Sequence, residues 1–131
     1  MDLLERYITE LGEDTAIDEF NMKDVQMKLP AIKHKWTGRL MRVRAENVKL
    51  ARDKKQLVRK LTDRLVDSSP MKLSIPIAEK KVLSLDDVMD IDQRVRDNEV
   101  IALFLEKAER ILSSMTFDIK NLTEIMKLET T

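Results

Sequence analysis

Residues 101–126 read IALFLEKAERILSSMTFDIKNLTEIM. Ile101, Leu105, Ala108, Leu112, Met115, Ile119, Leu122 and Met126 step alternately by four and three residues. That spacing is the heptad pattern of an α-helix with one apolar seam. Phe104, Ile111 and Ile125 widen the seam beyond what a two-stranded coiled coil needs. Residues 93–128 are therefore expected to form one long helix in a bundle of three or more. A second helix of the same chain is expected to fill part of that bundle, and copies of the chain the rest.

Upstream, residues 33–66 contain no Pro and carry a second heptad stripe. Trp36, Val43, Leu50 and Leu57 form one set; Leu40, Asn47, Lys54 and Leu61 form the interleaved set. Asn47 and Lys54 are polar interruptions of it. A helix over this stretch would be about 50 Å long, so part of it must project or meet another chain. Before it, Leu3, Leu4, Tyr7, Ile8 and Leu11 share one helical face, which predicts a short helix over 2–11 stopped at Gly12. Asn21 is expected to cap another short helix ending at Leu29, with Pro30 as its breaker. Between the long helices, Ser68-Ser69-Pro70 makes a turn. Met71 to Ile77 alternates loosely and Val82 to Leu85 is a second short apolar run; together they predict a small β-hairpin or edge strands, Pro76 placing the first at an edge. Ser84 and Asp87 have capping-box spacing, and Asp86 and Asp87 suit a helix start.

The organisation expected is thus mainly α and one structural unit overall. Residues 1–92 form an N-terminal part with the basic helix (33–66) and a short extended segment (71–85). Residues 93–131 form a C-terminal oligomerisation helix. Composition agrees: 131 residues, Gly only 2, Pro 3, and charged residues at 37%, above the usual figure of about 25%. Leu, Ile, Val and Phe total 39, enough for a core. There is no Cys, hence no disulfide framework and no thiolate metal site. The longest uncharged run, Ile111 to Phe117, is far shorter than the about 20 residues of a membrane span. Met1 leads into Asp2 and Glu5, the wrong start for a secretory signal. A soluble, cytoplasmic protein is expected.

Net charge is zero, but segregated. Residues 1–32 hold 3 basic and 8 acidic side chains, residues 33–64 hold 12 and 3, and residues 65–131 hold 9 and 13. Such a basic middle can neutralise phosphates. The candidate contacts are Lys35, Arg39, Arg42, Lys49, Arg52, Lys54, Lys55, Arg59, Lys60 and Arg64. Lys35, Arg39, Arg42 and Lys49 fall within an arc of about 80°, and Arg52, Lys55 and Arg59 within about 60°. The competing reading is a solvated face paired with acids on a neighbour. Glu46, Asp53 and Asp63 are too few to cancel the charge locally. A membrane surface fits less well, because Trp36 is the stripe's one bulky aromatic. Only five aromatics occur in the chain. Nucleic-acid contact is therefore expected at the backbone rather than by stacking, and Trp36 is expected in the core.

Catalytic patterns are scarce. His34 is alone, and Gly12 and Gly38 make no phosphate loop. Asp86, Asp87 and Asp90 match a D-D-x-x-D pattern able to hold Mg²⁺ in helical prenyl-transfer enzymes, but a chain of this size cannot enclose their cavity. No cofactor and no metal site are expected.

Taken together, Ala16-Ile17-Asp18, Lys35-Trp36, Lys54-Lys55, Val82-Leu83-Ser84 and Phe117-Asp118-Ile119-Lys120 occur in an order and spacing that resembles the UvsY family, recombination mediators of tailed phages. The family's basic motif runs Leu-Lys-x-Arg-Leu-Asp; here Val58-Arg59-Lys60-Leu61-Thr62-Asp63 matches it. Arg59 stands at the family's Lys and Asp63 at its Asp. Leu61 takes the family's Arg position, with Lys60 beside it. The resemblance implies a non-enzymatic, ring-like homo-oligomer of six or seven subunits in the infected cell. It implies single-stranded DNA binding that helps a RecA-like recombinase load onto DNA coated by single-strand binding protein. The acidic flanks are candidates for contact with those two proteins. The rivals are a coiled-coil adaptor without DNA affinity and a Mg²⁺-dependent enzyme using the three aspartates.

Overall fold

The computed structural model describes residues 2–70 and 73–130. Four helices follow in order: α1 (Asp2–Asp14), α2 (Met22–Ser68), α3 (Ile75–Val82) and α4 (Asp86–Thr130). No strand occurs among the described residues, so the chain is mainly α as the periodicity predicts. The expected hairpin is not there. Ile75–Val82 is a helix instead, while Met71 and Lys72 of that expectation lie outside the described residues. The physical reason is Pro76. It sits in the first helical turn, where its missing N–H removes no bond and its fixed φ suits the helix. Lys80 and Lys81 in the last turn complement the helix dipole.

Other boundaries also differ. α1 runs through Gly12 to Asp14, and no described residue has positive φ, so Gly12 is no left-handed cap. The helix ends where Thr15 turns its backbone N–H and its hydroxyl onto the Leu11 carbonyl. Asp18 Oδ1 then accepts the N–H of Asn21 while Asn21 Oδ1 accepts the N–H of Asp18. This reciprocal pair has capping-box form and steers the chain into α2. Asn21 also contributes its carbonyl to Val25 N–H. At the other end, Ser84 caps nothing in α4; its hydroxyl donates to Lys81 O at the end of α3.

Pro30 does not break α2. Val25 and Leu29 before it, and Trp36 and Leu40 after it, are all buried. Ending the helix at Pro30 would expose one of these two pairs. The Pro itself removes one hydrogen bond, to the carbonyl of residue 26, and Gln26 and Pro30 are both solvent-exposed, so water can satisfy that group. Packing outweighs the local penalty of about 3 kcal/mol.

The chain divides into two compact units: residues 1–42 with 101–131, and residues 43–100. In the first, α2 and α4 run antiparallel. Trp36 meets Phe104, Thr37 meets Glu109, and Met22 meets Thr123. α1 lies antiparallel on α2, with Tyr7 against Trp36 and Asp14 against Lys35. Trp36 is at the centre of this three-helix bundle. It is fully buried, its ring lies edge-on to Tyr7 at 5.6 Å and to Phe104 at 6.2 Å, and its Nε1–H donates to Asp14 at 2.8 Å. In the second unit the two long helices are again antiparallel, Glu46 meeting Arg94 and Lys54 meeting Asp92. Ala78 and Val82 of α3 and Val88 of α4 complete its buried side.

The seam that opened the sequence reading is filled inside the chain. Ile101, Leu105, Ala108, Leu112, Met115 and Ile119 are buried, and Leu122 and Met126 half-buried, without any second copy. Expected as contacts between subunits, these residues pack within the first unit of this one chain.

Candidate nucleic-acid interface

The ten cations singled out in the sequence fall into two kinds. Lys35, Arg39 and Lys54 are spent internally. Lys35 Nζ reaches Asp14 at 2.6 Å and Glu10 at 3.5 Å. Arg39 forms a forked pair with Glu10 and stacks over the rings of Tyr7 at 4.5 Å and Trp36 at 4.7 Å. The hydrogen bonds from Arg39 hold the Glu10 carboxyl below its ordinary range; partial burial opposes this, and the charges of Arg39 and Lys35 add to it. The same bonds raise Arg39. Lys54 pairs with Asp92 at 2.8 Å. Of the expected contact set, these three are engaged within the chain. The acids that cancel them lie on α1 and α4, far away in sequence, which a count over residues 33–64 cannot reveal.

The second kind is free. Arg42, Lys49, Arg52, Lys55, Arg59, Lys60 and Arg64 are exposed and form no ion pair among the described residues. All but Arg42 belong to the second unit. There α2 presents Arg52, Lys55 and Arg59 on one side, and Lys60 and Arg64 further round the same helix. Among the described residues no ion pair holds these side chains, so they are available to an anionic partner.

Sequence reasoning missed Lys80 and Lys81. Both are exposed on α3 in the same unit. Pro76 followed by two basic residues was the available signal, since it marks a helix start and a helix end. The rival metal site gains no geometry. Asp86 and Asp87 occupy the first turn of α4, and no group of three metal-ligating side chains forms among the described residues. Among the described residues no helix is long and apolar enough to cross a membrane.

A groove of about 420 Å³ lies beside the free cations. Val58, Ile75 and Leu83 line it together with Lys54, Lys55, Arg59, Asp63 and Glu79. A second groove, of about 690 Å³, runs along α1 by Tyr7 and Arg39.

Comparison with known proteins follows the same lines. Among curated protein sequences none matches this chain. The crystal structure of the bacteriophage T4 recombination mediator protein UvsY superposes with a TM-score of 0.79 at 18% identity, over 96% of this chain and 98% of that one. A second crystal lattice of the same protein gives 0.77 at 17% identity, over 97% of each. At such identity these matches speak for the fold. The sequence profile of the family described as "Recombination, repair and ssDNA binding protein UvsY" matches residues 10–131. A match over nearly the whole length, on the same helical fold, makes this chain a member of the UvsY family of recombination and repair proteins.

Proposed function

We propose that this protein is a recombination mediator that binds single-stranded DNA as a homo-oligomer, by electrostatics and without catalysis. It would help a RecA-like recombinase load onto DNA coated by single-strand binding protein. The observation that carries the reading is the set of unpaired cations on the second half of α2: Arg52, Lys55, Arg59, Lys60 and Arg64. The three partnered cations shift the expected contact surface away from Lys35 and Arg39 and onto these five. Among the described residues no cluster offers catalytic metal chemistry, and binding accounts for the exposed charge by itself.

Assembly into an oligomer is supported by a different face of α4 from the one first expected. Leu103, Ile111, Phe117 and Ile125 are exposed and fall within an arc of about 120°. They share that arc with Lys107, Arg110 and Asp118, and exposed apolar side chains set among charges in this way support a contact surface with a polar component.

The test is binding of a fluorescent single-stranded oligonucleotide across a salt series. Each phosphate neutralised contributes about −0.7 to the log–log slope. Five cations therefore predict about −3.5 per subunit, and the Arg59→Ala/Lys60→Ala pair should flatten it by about 1.4. No binding at low salt would instead favour the adaptor reading.

A further inference from the structure

Charge alone holds phosphates and does not tell a single strand from a duplex. The groove beside the cations has features that a phosphate track does not need. We infer that the groove between α2 and α3 seats an unstacked nucleobase of the bound strand, an inference that rests on the proposed binding of single-stranded DNA.

Three observations converge. First, Val58, Ile75 and Leu83 give the groove aliphatic walls, and Ile75 and Leu83 are exposed, at 61% and 46%. Exposed aliphatic side chains fit the flat face of a heterocycle, which is poorly solvated by water. Second, Thr62 lines the same groove. Its hydroxyl is buried, and it has no hydrogen-bond partner among the described residues. A buried hydroxyl left unpaired is costly. With the Thr62 side chain turned outward, the donor–acceptor edge of a base offers what it lacks. Third, Lys55 and Arg59 also line the groove and belong to the unpaired set. A strand whose phosphates rest on them has its bases next to the groove.

Asp63 and Glu79 line the groove together with Lys54, Lys55 and Arg59. The carboxylates accept N–H groups from a base edge and the unpaired cations Lys55 and Arg59 hold its phosphate, so one lining meets both halves of a nucleotide. In a duplex the bases are paired and stacked, so only a single strand, or an end, can enter. The groove thus supplies strand selectivity without the aromatic platforms that this chain lacks.

The experiment compares two fluorescent strands of equal length: oligothymidine, and an abasic strand of tetrahydrofuran spacers with the same phosphates. The parent protein should bind oligothymidine about fivefold more tightly, the low end of the range for base stacking because the walls are aliphatic. In Ile75→Ser/Leu83→Ser that difference should vanish, while abasic binding and its salt slope stay unchanged. Thr62→Val keeps the shape and removes the hydroxyl. It should weaken oligothymidine binding alone, whereas a merely structural Thr62 would shift the melting temperature and leave both strands alike. Equal binding of both strands by the parent, or a difference that survives the double substitution, overturns the groove as a base site. Failure of both strands to bind at low salt overturns the nucleic-acid reading beneath it.

Discussion

Leu112 and Ile111 are sequence neighbours on α4 with opposite fates. Leu112 is 1% exposed inside the first unit, and Ile111 is 45% exposed. Truncating a buried Leu to Ala costs about 2–5 kcal/mol. A chain of this length loses about 0.28 kcal/mol per kelvin near its midpoint, at about 2.1 cal/mol/K per residue. A central value of about 3 kcal/mol for Leu112→Ala then lowers the melting temperature by about 11 °C. Ile111→Ala removes half-solvated surface worth about 1 kcal/mol at most, or about 4 °C. Circular-dichroism melts at one fixed concentration, with the mass of each variant from light scattering, read both effects. Leu112→Ala should melt early and keep the parent's mass while folded. If it keeps the parent's melting temperature and loses mass, Leu112 faces another subunit and the packing argument fails.

Three further outcomes follow from the same structure. Phe117→Asp, on the exposed face of α4 at 68% exposure, should lower the assembled mass without unfolding the chain; an unchanged mass would remove that face from the contact. Glu10 has a depressed pKa through its bonds to Arg39, so its stabilising effect is complete above the unfolded value of 4.5 and fades as pH falls through the folded value. Parent stability should therefore fall below pH 4.5 more steeply than that of Glu10→Gln, and parallel pH curves would sink the assignment. Pro30→Ala restores a helical N–H at an exposed position and should stabilise the fold by up to about 3 kcal/mol of helix preference, raising the melting temperature; a lowered melting temperature would show that α2 depends on the proline ring.

Helix type and the two long helices were legible because heptad spacing is a repeated, local signal. Trp36 was legible as core for the same reason. Pro30 was misread because the breaker rule is local. The burial of Val25, Leu29, Trp36 and Leu40 that overrides it is set by α4, some 70 residues later. Residues 75–82 were misread because eight residues show too little period to separate strand from helix, and Pro76 fits either an edge strand or a first turn. The seam residues from Ile101 to Ile119 were correctly seen as an apolar stripe. A stripe, however, does not say whether its partner is the same chain or a copy. The cations suffered likewise. Lys35, Arg39 and Lys54 look identical to Arg52 or Arg59 until folding brings Asp14, Glu10 and Asp92 against them.

The two polar interruptions of the α2 heptad take on another meaning once both long helices are in view. Asn47 Oδ1 accepts from Asn98 Nδ2 at 2.9 Å, and Asn47 Nδ2 donates to Val95 O at 3.5 Å. Lys54, one heptad on, is met by Asp92. A plain apolar stripe is self-similar every seven residues, so two such helices can slide by a heptad and still bury their seams. Here a slide would set Asn98 against Leu40 or Lys54 and leave amides and a carboxylate without their partners, each at about 1–3 kcal/mol. The two flaws in the repeat work as a vernier mark: they single out one alignment of α2 on α4 from a ladder of near-equivalent ones.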